Sequence, residues 1–131
     1  HLRIYAAFDP YRRAPWKELE DIARKKEAGA EGFFTQPVFD RKLFDLCREW
    51  LLGEQVFWGL SPVIGPRSRS YWETTNHVVF PKNFEPTLDA NIQFAQSVLR
   101  DLSQEQGCAY LMPLRVKLDQ YLPPLMDALT S

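Results

Sequence analysis

Thiols, imidazoles and thioethers are scarce in this sequence, which has two cysteines, two histidines and two methionines in 131 residues. Cys47 and Cys108 stand apart, each on an apolar position of its element. Neither a disulfide nor a metal pair is expected, and both read as reduced core thiols of a cytoplasmic protein. His1 and His77 have no partner at metal-ligand spacing, so no metal site is expected. No GxGxxG or Walker segment occurs, no serine sits in a nucleophile elbow, and neither cysteine lies in a catalytic signature. Charge of one sign is also lacking: 16 Lys and Arg against 17 Asp and Glu give a net charge of −1. That balance argues against nucleic acid or an anionic membrane as an obligatory partner. No apolar run approaches the roughly 18 residues of a spanning helix, and no signal-peptide pattern is seen.

Aromatic residues are abundant instead, at 14% with nine Phe and four Trp, which suggests extensive packing surface or a stacking site. The stretch organising the chain is Glu31-Gly-Phe-Phe-Thr-Gln-Pro-Val-Phe-Asp40. Its apolar start has the composition of a strand buried on both faces, and it turns polar at Thr35 and Gln36 before Pro37 ends the ladder. Before it, residues 2–8 form a strand candidate closed by Asp9-Pro10. A helix follows from Pro15 to Gly29, with Trp16, Leu19, Ile22 and Ala23 as its apolar stripe and Glu18, Lys25 and Lys26 on polar faces. Asp40 can cap a second helix, whose stripe runs through Phe44, Cys47 and Leu51 to the stop at Gly53. Residues 55–64 read as a third strand, broken by Gly59 and Pro62. Gly65-Pro66 reads as a turn, and Ser70-Tyr-Trp-Glu73 has the form of a capping box. Leu88 to Leu102 defines a long amphipathic helix ended by Gly107, residues 108–114 a fourth strand with Arg115 at its polar end, and Leu118 to Leu129 a closing helix.

The order β-α-β-α-β-α-α-β-α implies an α/β fold with a parallel sheet and right-handed crossovers. The length is that of one domain, 1–131, below the roughly 250 residues of a (β/α)8 TIM-type barrel. About four βα units are half of such a barrel, and the opening on His1 followed at once by a strand reads as a piece of something longer. An isolated half leaves two edges and one sheet face uncovered, so it should seek a partner: a missing amino-terminal half-barrel or a second copy. The strands' carboxyl ends gather Asp9, Thr35, Gln36, Ser61 and Arg115 at one rim, with Arg67, Ser68, Arg69 and Trp72 nearby. An aromatic beside an amide and arginines fits a planar, partly anionic ligand. The bland alternatives are a solvated loop for Thr35, Gln36, Arg67 and Arg69, and core packing for Trp72. Asp9 is the one acid placed at the rim, so the residues describe a binding half of a site and no catalytic residue is assigned.

Lys25-Lys-Glu-Ala-Gly-Ala-Glu-Gly-Phe-Phe-Thr-Gln-Pro-Val-Phe-Asp40 resembles the K-x-x-A-G-A-x-x-x-x-T-Q-x-x-F-D segment of methylenetetrahydrofolate reductases. Gly59-Leu-Ser-Pro-Val63 is similar to that family's G-I-L-P-V strand, and the likeness runs through the helix 91–102 and Gly107 to Leu114-Arg115. The family is a flavin-dependent (β/α)8 barrel reducing methylenetetrahydrofolate with a nicotinamide cofactor, and the resemblance is to strands five to eight. It implies that Gln36 binds the pterin ring with Thr35 beside it, that Ser68 and Trp72 contact folate, and that Arg115 lies near it. On the FAD side it implies Ala6, Phe8, Glu18 and Lys25. Asp9-Pro-Tyr-Arg-Arg-Ala-Pro15 departs from the family's Pro-Glu-x-His-Pro and lacks the flavin-contacting histidine, which puts flavin binding in question. The resemblance thus implies a cytoplasmic oxidoreductase using FAD and NAD(P)H, with the catalytic glutamate and the flavin-tuning aspartate in the half not present here. The competing expectation is a non-catalytic half-barrel module that binds a pterin or flavin-like ligand, or assembles with another chain.

Overall fold

The computed structural model describes residues 1–130. Four short strands, β1 (Tyr5–Phe8), β2 (Gly32–Thr35), β3 (Gln55–Leu60) and β4 (Cys108–Leu111), form one parallel sheet in the order β1-β2-β3-β4. The helices are α1 (Pro15–Glu27), α2 (Arg41–Trp50), α3 (Gly65–Thr75), α4 (Leu88–Gln104) and α5 (Leu118–Thr130). Strands that follow one another without a reversal differ from a doubly wound sheet, whose order switches direction and puts helices on both faces. Here one core holds Phe8, Phe33, Val56, Trp58 and Leu60 from the strands with Phe44 and Cys47 of α2, Val98 and Leu102 of α4 and Leu125 of α5. The helices therefore cover one face of the sheet, an arrangement compatible with part of an α/β barrel.

The other face is open. Tyr5, Phe34, Phe57 and Tyr110 alternate with the core residues and build an aromatic layer across all four strands. Phe34 and Phe57 stack at 4.6 Å, Tyr5 stands edge-on to both, and Tyr110 lies 5.7 Å from Phe34. Phe34 is 40% exposed, so the central strand is buried on one face and not on both as its composition suggests. Nothing among the described residues lies over it.

Local signals set most boundaries. The Asp40 carboxylate accepts from the Lys42 amide at 3.1 Å to start α2, and Gly29 at φ +110° follows the end of α1. Several features differ from the sequence reading, β1 starting only at Tyr5 and β3 ending at Leu60 among them. α3 begins at Gly65, with Pro66 in its first turn where a missing N–H is harmless, so Ser70 lies inside the helix and caps nothing. β4 stops at Leu111, and Arg115 lies four residues beyond it in a turn at φ +59°. α1 is turned about its axis relative to its apolar stripe: Trp16 and Leu19 are exposed while Glu18 and Asp21 are buried. The Arg12–Arg13 loop covers that acidic face, and among the described residues no strand lies beyond β1 to carry an element that would bury the stripe.

Candidate functional site

At the carboxyl ends of the strands the loops are tied into a seam of hydrogen bonds. The Gln36 amide donates to the Phe8 carbonyl at 2.8 Å, extending the β1–β2 ladder by one residue. Thr35, 2% exposed, accepts at Oγ1 from the Gly59 amide at 2.9 Å, and the Val38 amide donates to the Gly59 carbonyl at 3.1 Å. Ser61 donates from Oγ to the Met112 carbonyl at 2.8 Å, joining the ends of β3 and β4. The loop after β1 folds over the seam: Asp9 accepts from the Tyr11 amide at 2.9 Å, and the Tyr11 hydroxyl donates to the Pro37 carbonyl at 2.8 Å. Burial, reinforced by neighbouring acidic groups, raises the Tyr11 pKa, so this phenol stays a donor.

Two members of the seam carry no sequence signature of function, and both were missed by sequence reasoning. Tyr110 reaches from β4 across β3 to donate its hydroxyl to the Thr35 carbonyl on β2. It passes over Gly59, where a Cβ would meet the phenol oxygen at 2.6 Å. A glycine inside an apolar strand is the signal that marks such a close approach. Asn91 of α4, 5% exposed, binds Val63 twice and so fixes the segment leaving β3. Its signal is a lone amide at an inward position of an otherwise apolar helix face, in register with Leu88, Ala95, Val98 and Leu102.

Against this frame the expected site residues separate. Gln36 follows Gly32 and Phe34 in the strand alternation and so belongs to the open face; it is half-buried, and its side-chain amide has no hydrogen-bond partner. Thr35 is consumed by the seam. Trp72 is 4% exposed and packed in a satellite core with Phe39, Val63, Val78 and Phe80, its ring edge-on to Phe39 at 5.3 Å. Ser68 sits one turn into α3 and is half-buried. Arg69 is held by Glu73 at 3.4 Å and lies over the Phe80 ring, whereas Arg67 and Arg115 are exposed cations without an ion pair. Gln36, Arg67 and Arg115 are candidate residues whose polar groups are free to meet a ligand.

The four residues assigned to the flavin side lie elsewhere. Ala6 and Phe8 face the helices, Phe8 at 1% exposure. Glu18 is fully buried: its Oε1 accepts from Arg12 at 2.9 Å and from Arg13 at 3.2 Å, and its Oε2 has no partner. Asp21 beside it is paired with Arg13 and Arg24. The Lys25 ammonium donates to the Ala7 carbonyl at 2.6 Å, and burial lowers its pKa, with Glu18 opposing that shift. Phe8 is thus closed off within the core, Ala6 and Lys25 are half-buried with one Lys25 N–H taken by Ala7, and Glu18 Oε2 is an unsatisfied buried acceptor.

A sizeable concavity lies away from this rim. It lies at the amino ends of the strands, lined by Gly53, Gln55 and Gly107, between helix ends bridged by Arg48 and Glu105. Among the described residues no group of three or more His, Cys, Asp or Glu side chains could hold a metal ion, and no helix is long and apolar enough to cross a membrane. The chain is thus an α/β half-layer with a polar rim on one open face. Comparison with known proteins finds no protein-family model and no curated sequence that matches it.

Proposed function

We propose that this chain is the folate-binding half of a (β/α)8 oxidoreductase that reduces 5,10-methylenetetrahydrofolate to 5-methyltetrahydrofolate with flavin and NAD(P)H. The observation that carries the reading is Gln36: a free side-chain amide, on a rigidly bonded backbone, at the carboxyl end of a parallel strand and on the sheet's uncovered face. One amide supplies an acceptor and two donors, which matches the mixed edge of a pterin ring. The consecutive strand order and the aromatic open face support a barrel completed by four further βα units. Arg115, exposed on the same rim, would attract the folate carboxylates. Trp72 supports the site from beneath by packing under the loop that follows β3.

The residues of this half bind and orient. Gln36 fixes the heterocycle edge, and the seam behind it excludes water from the Thr35 and Gly59 backbone. FAD, when bound, supplies the hydride chemistry. Because Phe8 faces the core and Lys25 is engaged, the flavin would be held chiefly by the complementary half, together with the acid that protonates the folate ring nitrogen. Gln36→Ala in the full-length chain is expected to weaken folic acid binding in calorimetric titration by about 1–3 kcal/mol. Unchanged affinity would overturn the assignment. The native mass discriminates the alternative: a flavin-coloured chain near twice 15.3 kDa supports the enzyme, and a colourless chain of only 15.3 kDa supports a binding or assembly module.

A further inference from the structure

The peptide joining Thr35 to Gln36 is gripped from two directions. Its N–H donates to the Phe8 carbonyl of β1 at 2.8 Å, and its carbonyl accepts from the Tyr110 hydroxyl of β4. Those two partners come from the first and last strands of the sheet, so this peptide plane is the point where the two edges are cross-tied. The Thr35 side chain adds a third tie, to the Gly59 amide at 2.9 Å. We propose that Tyr110 is a positioning residue for Gln36, setting the plane from which the Gln36 side chain meets its ligand; this rests on the folate reading of the rim.

Three features of the structure argue for it. The hydroxyl spans two strand spacings, which is possible because Gly59 leaves room: a Cβ there would stand 2.6 Å from the phenol oxygen and 2.7 Å from the ring. The Tyr110 ring is braced against Phe34, at 5.7 Å, so its hydroxyl is aimed by packing and not by the hydrogen bond alone. Gln36 and Tyr110 share the open face of the sheet, so the side chain that meets the ligand and the phenol that holds its backbone stand on the same side. Burial raises the Tyr110 pKa and keeps the proton on the oxygen that must donate it. A peptide tied at one end only can rotate about its flanking bonds. Tied at both ends, it fixes where the Gln36 Cα–Cβ bond points.

The test is a double-mutant cycle in the full-length chain, with folic acid as the probe, read by calorimetric titration and by hydrogen exchange of the Gln36 amide. Tyr110→Phe keeps the ring and removes the donor. It is expected to weaken folic acid binding about 3- to 10-fold and to speed Gln36 amide exchange by a similar factor. In a Gln36→Ala background the same change should leave affinity within about twofold, because the two residues act through one contact. Gly59→Ala, which pushes the phenol off the carbonyl while keeping its hydroxyl, should reproduce the loss, and it carries the test if Tyr110→Phe does not fold. Equal losses from Tyr110→Phe in both backgrounds would overturn the proposal and leave the role of Gln36 standing. Should Gln36→Ala itself bind folic acid as well as the parent, the folate reading falls, and the exchange rate decides alone: faster exchange in Tyr110→Phe upholds the positioning role and an unchanged rate overturns it.

Discussion

Asn91 takes the place of a missing strand for Val63. Its Oδ1 accepts from the Val63 amide at 3.0 Å and its Nδ2 donates to the Val63 carbonyl at 2.8 Å, so one side chain satisfies both backbone groups of a fully buried residue. A third bond, from Nδ2 to the Thr87 carbonyl at 2.7 Å, fastens the amide to the start of its own helix. The segment between β3 and α3 therefore keeps its path without a sheet ladder. Asn91→Leu preserves size but strands two buried polar groups, and urea unfolding is expected to show a loss of about 2–4 kcal/mol. Gln93→Leu, an exposed neighbour on the same helix, should stay within about 0.5 kcal/mol. Equal effects of the two would remove the special role of the amide.

The two strand glycines should respond differently to rescue. A Cβ at Gly59 meets the end of the Tyr110 side chain, whereas a Cβ at Gly32 meets the backbone carbonyl of Gln55 as well as the Tyr5 ring. Both alanine variants are expected to lose about 1–3 kcal/mol by overpacking. Tyr110→Ser should restore part of the loss in Gly59→Ala, since the phenol atoms are then gone and only the Pro37 nitrogen at 3.1 Å stays close. Tyr5→Ser should restore little in Gly32→Ala, because a paired carbonyl cannot move aside. Denaturant titration of the four single and two double variants decides it, and equal rescue at both sites would contradict the contacts.

Alkaline pH should unfold this protein through buried acids that cannot ionise. Burial pushes the Cys47 thiol from its ordinary 9.0 up to about 12, and raises Tyr11, Tyr110 and Tyr121. Above pH 9 the unfolded chain releases the Cys47 proton and the folded chain keeps it, so the unfolded state binds fewer protons and stability falls as pH rises. Lys25, lowered by burial, acts in the opposite sense but is a single group. By about pH 10.5 the Cys47 share is on the order of 2 kcal/mol. Cys47→Ala is expected to start from a lower stability at pH 7 and to lose less between pH 8 and about pH 10.5. Parallel pH profiles for the parent and the variant would refute the contribution of the thiol.

Features encoded within a few residues were legible in the sequence, and those encoded between distant ones were not. Asp40, Gly29 and the alternation of elements are local signals, and they located α2, the end of α1 and the order of strands and helices. Pro66 is ambiguous by itself, since the same ring suits a turn or a helix's first turn, and the choice depends on Asn91 and Pro86 holding the segment before it. The buried Glu18 could not be read from α1, because what covers it is a pair of arginines in a loop. Gln36 was legible as the polar end of a buried strand. The phenol that holds its peptide lies 75 residues away and is announced only by the gap at Gly59. Trp72 illustrates the converse, an aromatic whose place in a satellite core depends on Phe39 and Phe80 folding over it.

The bond from Lys25 to the Ala7 carbonyl makes the sheet's two borders unequal. The carbonyls of Ile4 and Phe8 turn inward to β2, so by alternation that of Ala7 points outward, and the ammonium occupies it. No side chain among the described residues plugs the outer border of β4 in this way. A newcomer strand can join at β4 freely, whereas at β1 it must first evict a cation. Head-to-tail stacking of copies into a growing ribbon needs both borders at once, and so does any closed ring of strands, so each requires the Lys25 ammonium to leave the Ala7 carbonyl.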